Sequence, residues 1–402
     1  MKVHREPDTT PPPNNHPGIG LAQELVRIAA CVKASLKSYD HASLDIKAVS
    51  VLSMATISFE RPNKMRVWFN KGLSNTYDAL RLMRAEDRDG RLTLRTTVTR
   101  FPTALSTVAD EIGPEPRSLS DDAYVAWCLE ECAQARVDVF MPQHRRDLLA
   151  EARECFEAQG TRLSVMGDGA ALKRAEQKDA LYEDLAGSPI PVPAWRRFCT
   201  LDEFEAAWAD LGGANARLCL KPCVSVYGAG FRRLETEGSE YGRLLSGATD
   251  RIGVDAFRSA LAASHQRRPM MLMTYLPGVE RSVDVLAHEG SIVCAVARVK
   301  KGNVQFLETT GPSVTLADTL TRRYHLHGVF NVQTKEGNDG VPYLLEINSR
   351  MSGGLLYSCQ SGVVFPYWAA LLAGGLATPA DVPQPRAGLC VAPVQECRVV
   401  PA

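Results

Sequence analysis

The chain has 402 residues, and its 46 Lys and Arg are balanced by 46 Asp and Glu, so the formal net charge is zero. That balance argues against a nucleic acid or an anionic membrane as partner, and no apolar run reaches the roughly 18 residues of a membrane span. Hydrophobic residues at 45% and charged residues at 23% make an ordinary globular composition, with material for about two or three domains.

Residues 1–64 read as an N-terminal extension. Pro11-Pro12-Pro13 among polar residues predicts disorder at its start, and Leu21, Leu25, Ile28, Val32 and Leu36 predict an amphipathic helix over Gly20–Ser38. The first core strand is expected at Met65–Phe69. Met65 is therefore an alternative start, and a chain lacking residues 1–64 is expected to fold.

From Met65 to Val165 the pattern alternates between strand and helix. Strands are predicted at Val67–Phe69, Leu92–Thr97 and Val137–Met141. Helices are predicted at Thr76–Met83, Asp121–Ala135 (capped by Asp121) and Arg146–Gln159. Such alternation implies a small parallel sheet with helices on its faces, here residues 65–166. The loop Asn70-Lys71-Gly72 would lie at a carboxyl strand end, where such sheets bind ligands, but no G-x-G-x-x-G is present.

Residues 167–385 change character. A helix over Ala170–Leu185 leads through Pro189, Pro191 and Pro193 to strands at Trp195–Phe198, Leu218–Pro222 and Gly230–Leu234, with a capped helix over Asp202–Asp210 between the first two. Further strands are predicted at Met270–Tyr275, Ser282–His288, Ile292–Lys300, Gly328–Gln333 and Tyr343–Asn348, an α+β pattern rich in antiparallel pairs. Residues 386–402 form a C-terminal tail. The eleven cysteines include no C-x-x-C; the closest pairs are Cys128/Cys132 and Cys219/Cys223. An odd, scattered set points to reduced thiols in the cytoplasm, with neither zinc site nor disulfide framework.

The chemistry concentrates in four places. Val224–Phe231 holds Gly228 and Gly230 just after Lys221; glycines let backbone N–H groups approach an anion, and the ammonium adds a point charge. Met273–Asp284 carries a Leu276-Pro277-Gly278 turn, and Glu280 could accept from a sugar hydroxyl. Asn331-Val332-Gln333 and Glu346-Ile347-Asn348 are joined by the turn Asn338-Asp339-Gly340, which sets Gln333 opposite Glu346. At strand period, Leu345 and Ile347 face one way and Glu346, Asn348 and Arg350 the other. Oxygen ligands from Gln333, Glu346 and Asn348 suit Mg²⁺, and a guanidinium beside them suits a polyphosphate.

In this order, with Lys178 and Arg298 in place, residues 65–375 resemble the ATP-grasp superfamily. The flavour is that of the carbamoyl-phosphate-synthetase large subunit and its amino-acid-ligase relatives. Asn-Val-Gln followed by Glu-Ile-Asn-x-Arg is the specific part. The strand-loop Trp68–Gly72 also looks like ATP-grasp proteins of tellurite-type stress operons.

The resemblance implies a pre-ATP-grasp parallel sheet followed by a two-lobed grasp. Lys178 and Lys221 would contact ATP phosphates, and Ser225, Gly228 and Gly230 would close over them. Thr274, Tyr275 and Leu276 would hold adenine, and Glu280 the ribose. Gln333, Glu346 and Asn348 would coordinate Mg²⁺, with Mn²⁺ as a substitute. Arg298 and Arg350, with Lys221, would act on the transferred phosphoryl group. Thr274 stands where the family often has an acidic residue, and Gln333 where a second carboxylate is common.

The implied activity is ADP-forming ligation of a small carboxylate, such as an amino acid, to an amine or thiol through an acyl phosphate. Activation of bicarbonate, or nucleotide binding without turnover, are the other readings. The implied partners are small molecules and, in a homodimer, a second copy of the chain.

Overall fold

The computed structural model describes residues 64–71, 75–225 and 228–400. The helix expected over Gly20–Ser38, the rest of residues 1–63, Gly72 of the polar loop, and Val226 and Tyr227 of the glycine loop lie outside the described residues.

Alternating apolar residues and short polar turns build a first, wholly parallel sheet. It comprises β1 (Met65–Phe69), β2 (Leu92–Val98), β3 (Glu111–Pro114), β4 (Val139–Phe140) and β5 (Arg162–Leu163), in the order β3-β2-β1-β4-β5. The order reverses beside β1, so the loops after β1 and β4 flank the switch point. The predicted strand over 137–141 is shorter than expected, and β3 and β5 went unpredicted. Helix Asp121–Ala135 is capped by the Ser120 hydroxyl, which accepts from Ala123 N, and not by Asp121. Two long predicted helices are each broken. Ala152 separates Arg146–Glu151 from Arg153–Ala158, and Gln177, in extended backbone, separates Gly169–Glu176 from Lys178–Asp184.

The second sheet contains β6 (Trp195–Phe198), β7 (Leu218–Pro222), β8 (Arg232–Glu235), β9 (Arg251–Gly253) and β10 (Met270–Thr274), in the order β6-β10-β7-β8-β9. Helix Leu201–Asp210 starts with a capping box, the Thr200 hydroxyl and Glu203 carboxylate each taking the other's backbone N–H. It packs with helix Val254–Ala263 on this sheet around Phe198, Phe204, Phe257 and Leu272, a small core of its own.

The third sheet is antiparallel throughout. It contains β11 (Glu280–His288), β12 (Ser291–Lys301), β13 (Val304–Glu308), β14 (Gly328–Glu336), β15 (Pro342–Asn348) and β16 (Cys390–Val391), in the order β15-β14-β11-β12-β13-β16. Strand β16 brings part of the C-terminal tail onto its edge.

The first and third sheets share their cores. Trp68, stacked on Phe140 with centroids 4.0 Å apart, belongs to one cluster with Val283, Phe330 and Ile347. Val67, Phe69 and Leu94 join Leu286, Val296 and Leu371 in another. Helix Phe365–Gly374 packs on β4 and β5 of the first sheet and on β11 and β14 of the third, and the hydrophobic effect rewards such burial at about 25 cal/mol per Å².

One half-buried group makes the fold pH-sensitive. His327 Nδ1 accepts from Glu289 N (3.2 Å), which requires a neutral ring, and His288 lies with its ring centroid 5.1 Å away. Burial, reinforced by His288 and Arg153, lowers the His327 pKa to about 4. The unfolded chain therefore takes up a proton near pH 6.5 that the folded chain refuses until about pH 4. Stability is full above pH 6.5 and falls on acidification towards 4, by on the order of 2–3 kcal/mol for this group. The expected result is a lower urea midpoint at pH 5 than at pH 7, with a smaller difference in His327→Gln. An equal difference in that variant would acquit His327.

Candidate active site

Between the second and third sheets lies a cavity of about 380 Å³. Its floor is set by β15. Gln333 pairs with Glu346 but Thr334 pairs with Leu344, so Leu345 is a bulged residue with no partner on β14. The alternation expected here is thereby corrected: Leu345 does not turn away with Ile347 but lines the cavity beside Glu346, Asn348 and Arg350. The bulge also turns the Leu345 carbonyl inward, where it accepts from Lys221 Nζ (2.9 Å) and the Tyr182 hydroxyl (3.0 Å).

The two predicted lysines meet at Glu346. Lys178 opens its helix beside the carboxyl end of β7, 3.4 Å from the Glu346 carboxylate, and donates to the Ser225 carbonyl at 3.0 Å. Lys221 comes from β7 and lies over the Tyr182 ring. Burial lowers its pKa to about 8, while Glu346 opposes the shift. Two ammonium groups sharing one carboxylate leave positive charge at this end of the cavity.

At the other end Met273, Thr274, Tyr275 and Leu276 form a largely apolar wall, joined by Phe231 and by Cys219, the neighbour of Met273 on β7. The Tyr275 ring is held by Arg217, Arg233 and Lys335, each with its charge 5.1 to 5.5 Å from the centroid. Glu280 pairs with Lys335 at 3.6 Å.

Of the predicted site residues, Lys178, Lys221, Ser225, Gly228, Thr274, Tyr275, Leu276, Glu280, Gln333, Glu346, Asn348 and Arg350 line this one cavity. Gly230 and Arg298 do not. Gly230 has φ +83°, and a Cβ there would stand 2.7 Å from Pro222, so it serves the turn between β7 and β8. Arg298 lies behind Ser352. It donates to Asp284 (2.8 Å), Gln305 (2.7 Å), and the hydroxyls of Ser282 and Ser352 (2.9 Å each). Gly354 has no Cβ to collide with that guanidinium. Lys335 and Arg233 were missed, although Lys335 sits two residues after Gln333 on the same strand face, a period that would have found it.

A divalent ion has a suitable donor set here. Gln333, Glu346 and Asn348 offer one carboxylate and two amide groups, hard oxygen ligands of the kind Mg²⁺ prefers to complete with phosphate and water. The Asn348 amide donates to Glu346 at 3.0 Å, which ties two of the three together. Among the described residues no cluster of three or more His, Cys, Asp or Glu offers a self-sufficient metal site.

Residues 266–397 match a family model described as "ATP-grasp in the biosynthetic pathway with Ter operon". The whole fold is similar to carboxyaminoimidazole ribonucleotide synthase from Aspergillus clavatus complexed with ATP, with TM-score 0.58, 18% identity, and coverage of 81% of this chain and 80% of that one. The matched segment is that of the ATP-grasp family, and the chain has the ATP-grasp fold. The ATP-grasp architecture is also similar to the L-amino acid ligase of Bacillus licheniformis, with TM-score 0.54, 14% identity, and coverage of 78% and 75% of the two chains. In sequence, this chain is 39% identical over 125 residues to carnosine synthase 1 of Gallus gallus, 27% of this chain and 13% of that protein. The chain thus spans about an eighth of the curated relative it matches. No helix among its described residues is long and apolar enough to cross a membrane.

Proposed function

We propose that this chain is an ATP- and Mg²⁺-dependent ligase joining a small carboxylate to an amine, with ADP and phosphate as products. The observation that carries this reading is the convergence of Lys178, Lys221, Gln333, Glu346, Asn348 and Arg350 at one end of a cavity whose other end is an apolar hinge. The Tyr275–Leu276 hinge suits a purine, and Glu280 a ribose hydroxyl. Lys178, Lys221 and Arg350 bear on the phosphates, and Ser225 and Gly228 lie over them. Gln333, Glu346 and Asn348 would hold Mg²⁺, which when bound neutralises phosphate charge.

The substrate carboxylate oxygen attacks the γ-phosphorus, and the bond to the bridging oxygen of ADP breaks. The amine nitrogen then attacks the acyl carbon, and phosphate leaves as the nitrogen loses a proton. The protein's part is positioning and charge neutralisation, and no side-chain nucleophile is required. Lys221, buried against the Tyr182 ring and fixed on Leu345 O, is a pre-set charge that needs no reorganisation. Amine as acceptor is favoured by the likeness to a carnosine synthase and an amino acid ligase.

The test is a screen of amino acids and small carboxylates, with added amines and Mg-ATP, reading phosphate and ADP. The expected result is ADP release that requires both a carboxylate and an amine. Release driven by bicarbonate alone would replace the reading with carboxylation, and absence of nucleotide binding would end it.

A further inference from the structure

Ser349 stands between Asn348 and Arg350, yet it does not line the cavity and is only 3% exposed. Its hydroxyl donates to Glu176 Oε1 at 3.0 Å and accepts from Arg146 Nε at 3.1 Å. Arg146 also donates to the same Glu176 oxygen at 2.7 Å and to the Gln143 carbonyl at 2.8 Å. One planar guanidinium thus ties together three separate segments. They are the loop after β4 at the switch point of the first sheet, the end of helix Gly169–Glu176, and the end of β15.

Each of those last two segments leads directly into the phosphate end of the cavity. Ser349 is flanked by Asn348 and Arg350, and Glu176 precedes Lys178 by two residues across the helix break at Gln177. A second tie runs beside it, where Asn75 donates to the carbonyls of Met351 (2.8 Å) and Ser352 (3.1 Å). None of these contacts reaches the hinge.

We propose that Arg146, acting through Ser349 and Glu176, is a positioning residue that sets Lys178, Asn348 and Arg350 for the terminal phosphate. This inference rests on the nucleotide-site reading above. A guanidinium fork holds its partners in a fixed plane, which an ammonium cannot reproduce. The hinge end, built without it, binds the rest of the nucleotide independently.

Titration calorimetry on the full chain separates the two ends of the site. The probes are ADP without metal, and with Mg²⁺ the non-hydrolysable analogue whose β and γ phosphates are joined by nitrogen. In Arg146→Ala and Ser349→Ala, ADP affinity is expected to stay within about twofold of wild type, while the analogue weakens about tenfold, a change of about 1.4 kcal/mol. Ser349→Thr, which keeps the hydroxyl, is expected to restore analogue binding. Wild-type analogue affinity in both alanine variants overturns the proposal. So does equal weakening of both probes, which is the mark of a general structural defect. If the wild-type chain binds neither probe, the nucleotide reading itself falls and takes this inference with it.

Discussion

Glu346→Ala is expected to lower ADP formation from Mg-ATP by about a hundredfold or more, with the fold retained. The side chain sits at the edge of the cavity, half-way between solvent and core, so its removal costs little packing. Its chemical loss is large. Lys178 stands 3.4 Å away, and the same carboxylate supports the charged form of Lys221. Without it two ammonium groups face each other, and the oxygen set of Gln333 and Asn348 loses its only charged member. Removal of one preorganised charge-stabilising group costs about 10² to 10³ in rate. Glu346→Gln separates the effects, since an amide keeps an acceptor for Asn348 but not the charge. A wild-type rate in either variant, at saturating substrates, would remove Glu346 from the site.

The second large effect is on stability. Asp284 is fully buried on β11, where it accepts from Arg298 Nε (2.8 Å), Asn331 Nδ2 (2.8 Å) and the Ser358 hydroxyl (2.6 Å). Asp284→Ala would leave Arg298 buried with only neutral partners, and breaking one side of such a pair costs about 3–5 kcal/mol. The expected result is a loss of that size in the urea unfolding free energy. Because Arg298 also donates to Ser352, which lines the cavity, the loss should be accompanied by weaker binding of the ATP analogue. A loss below about 1 kcal/mol would show that the guanidinium finds water or another carboxylate once Asp284 is gone.

Strands β11, β12, β14 and β15 of the third sheet were legible because Val, Ile and Leu recur there with turn residues between them, whereas β13 and the two-residue β16 went unpredicted; the cross-strand pair Gln333–Glu346 followed from the Asn338-Asp339-Gly340 turn. The bulge at Leu345 was not legible. Its cause is non-local, since the partners of the Leu345 carbonyl, Lys221 and Tyr182, lie more than a hundred residues upstream. The same holds for the partner of Arg298: the buried Asp284 lies diagonally from it on the neighbouring strand, and the sequence carries no signal of that pairing. The breaks at Ala152 and Gln177 escaped notice because neither residue is a helix breaker by propensity. Segment 239–263 went unread because its helices are short and its surface polar. Ser349 carried no signal, as a serine between two functional residues looks like a spacer.

The shared core of the first and third sheets bears on what can be inherited as a unit. The segment that matches the family model, 266–397, contains the hinge, Gln333, Glu346, Asn348 and Arg350, but neither Lys178 nor Lys221. It also contains Val283, Phe330 and Ile347, which share one core with Trp68, Phe140 and Tyr182 from outside its borders. Cut free, it would present bare hydrophobic surface and half a binding cleft. Kinship in sequence and mechanical integrity therefore have different borders in this chain. A host that carries this segment must furnish the opposing lysines and those aromatic side chains from its own remaining sequence. Swapping the segment alone between relatives would transplant a jaw without its hinge-mate.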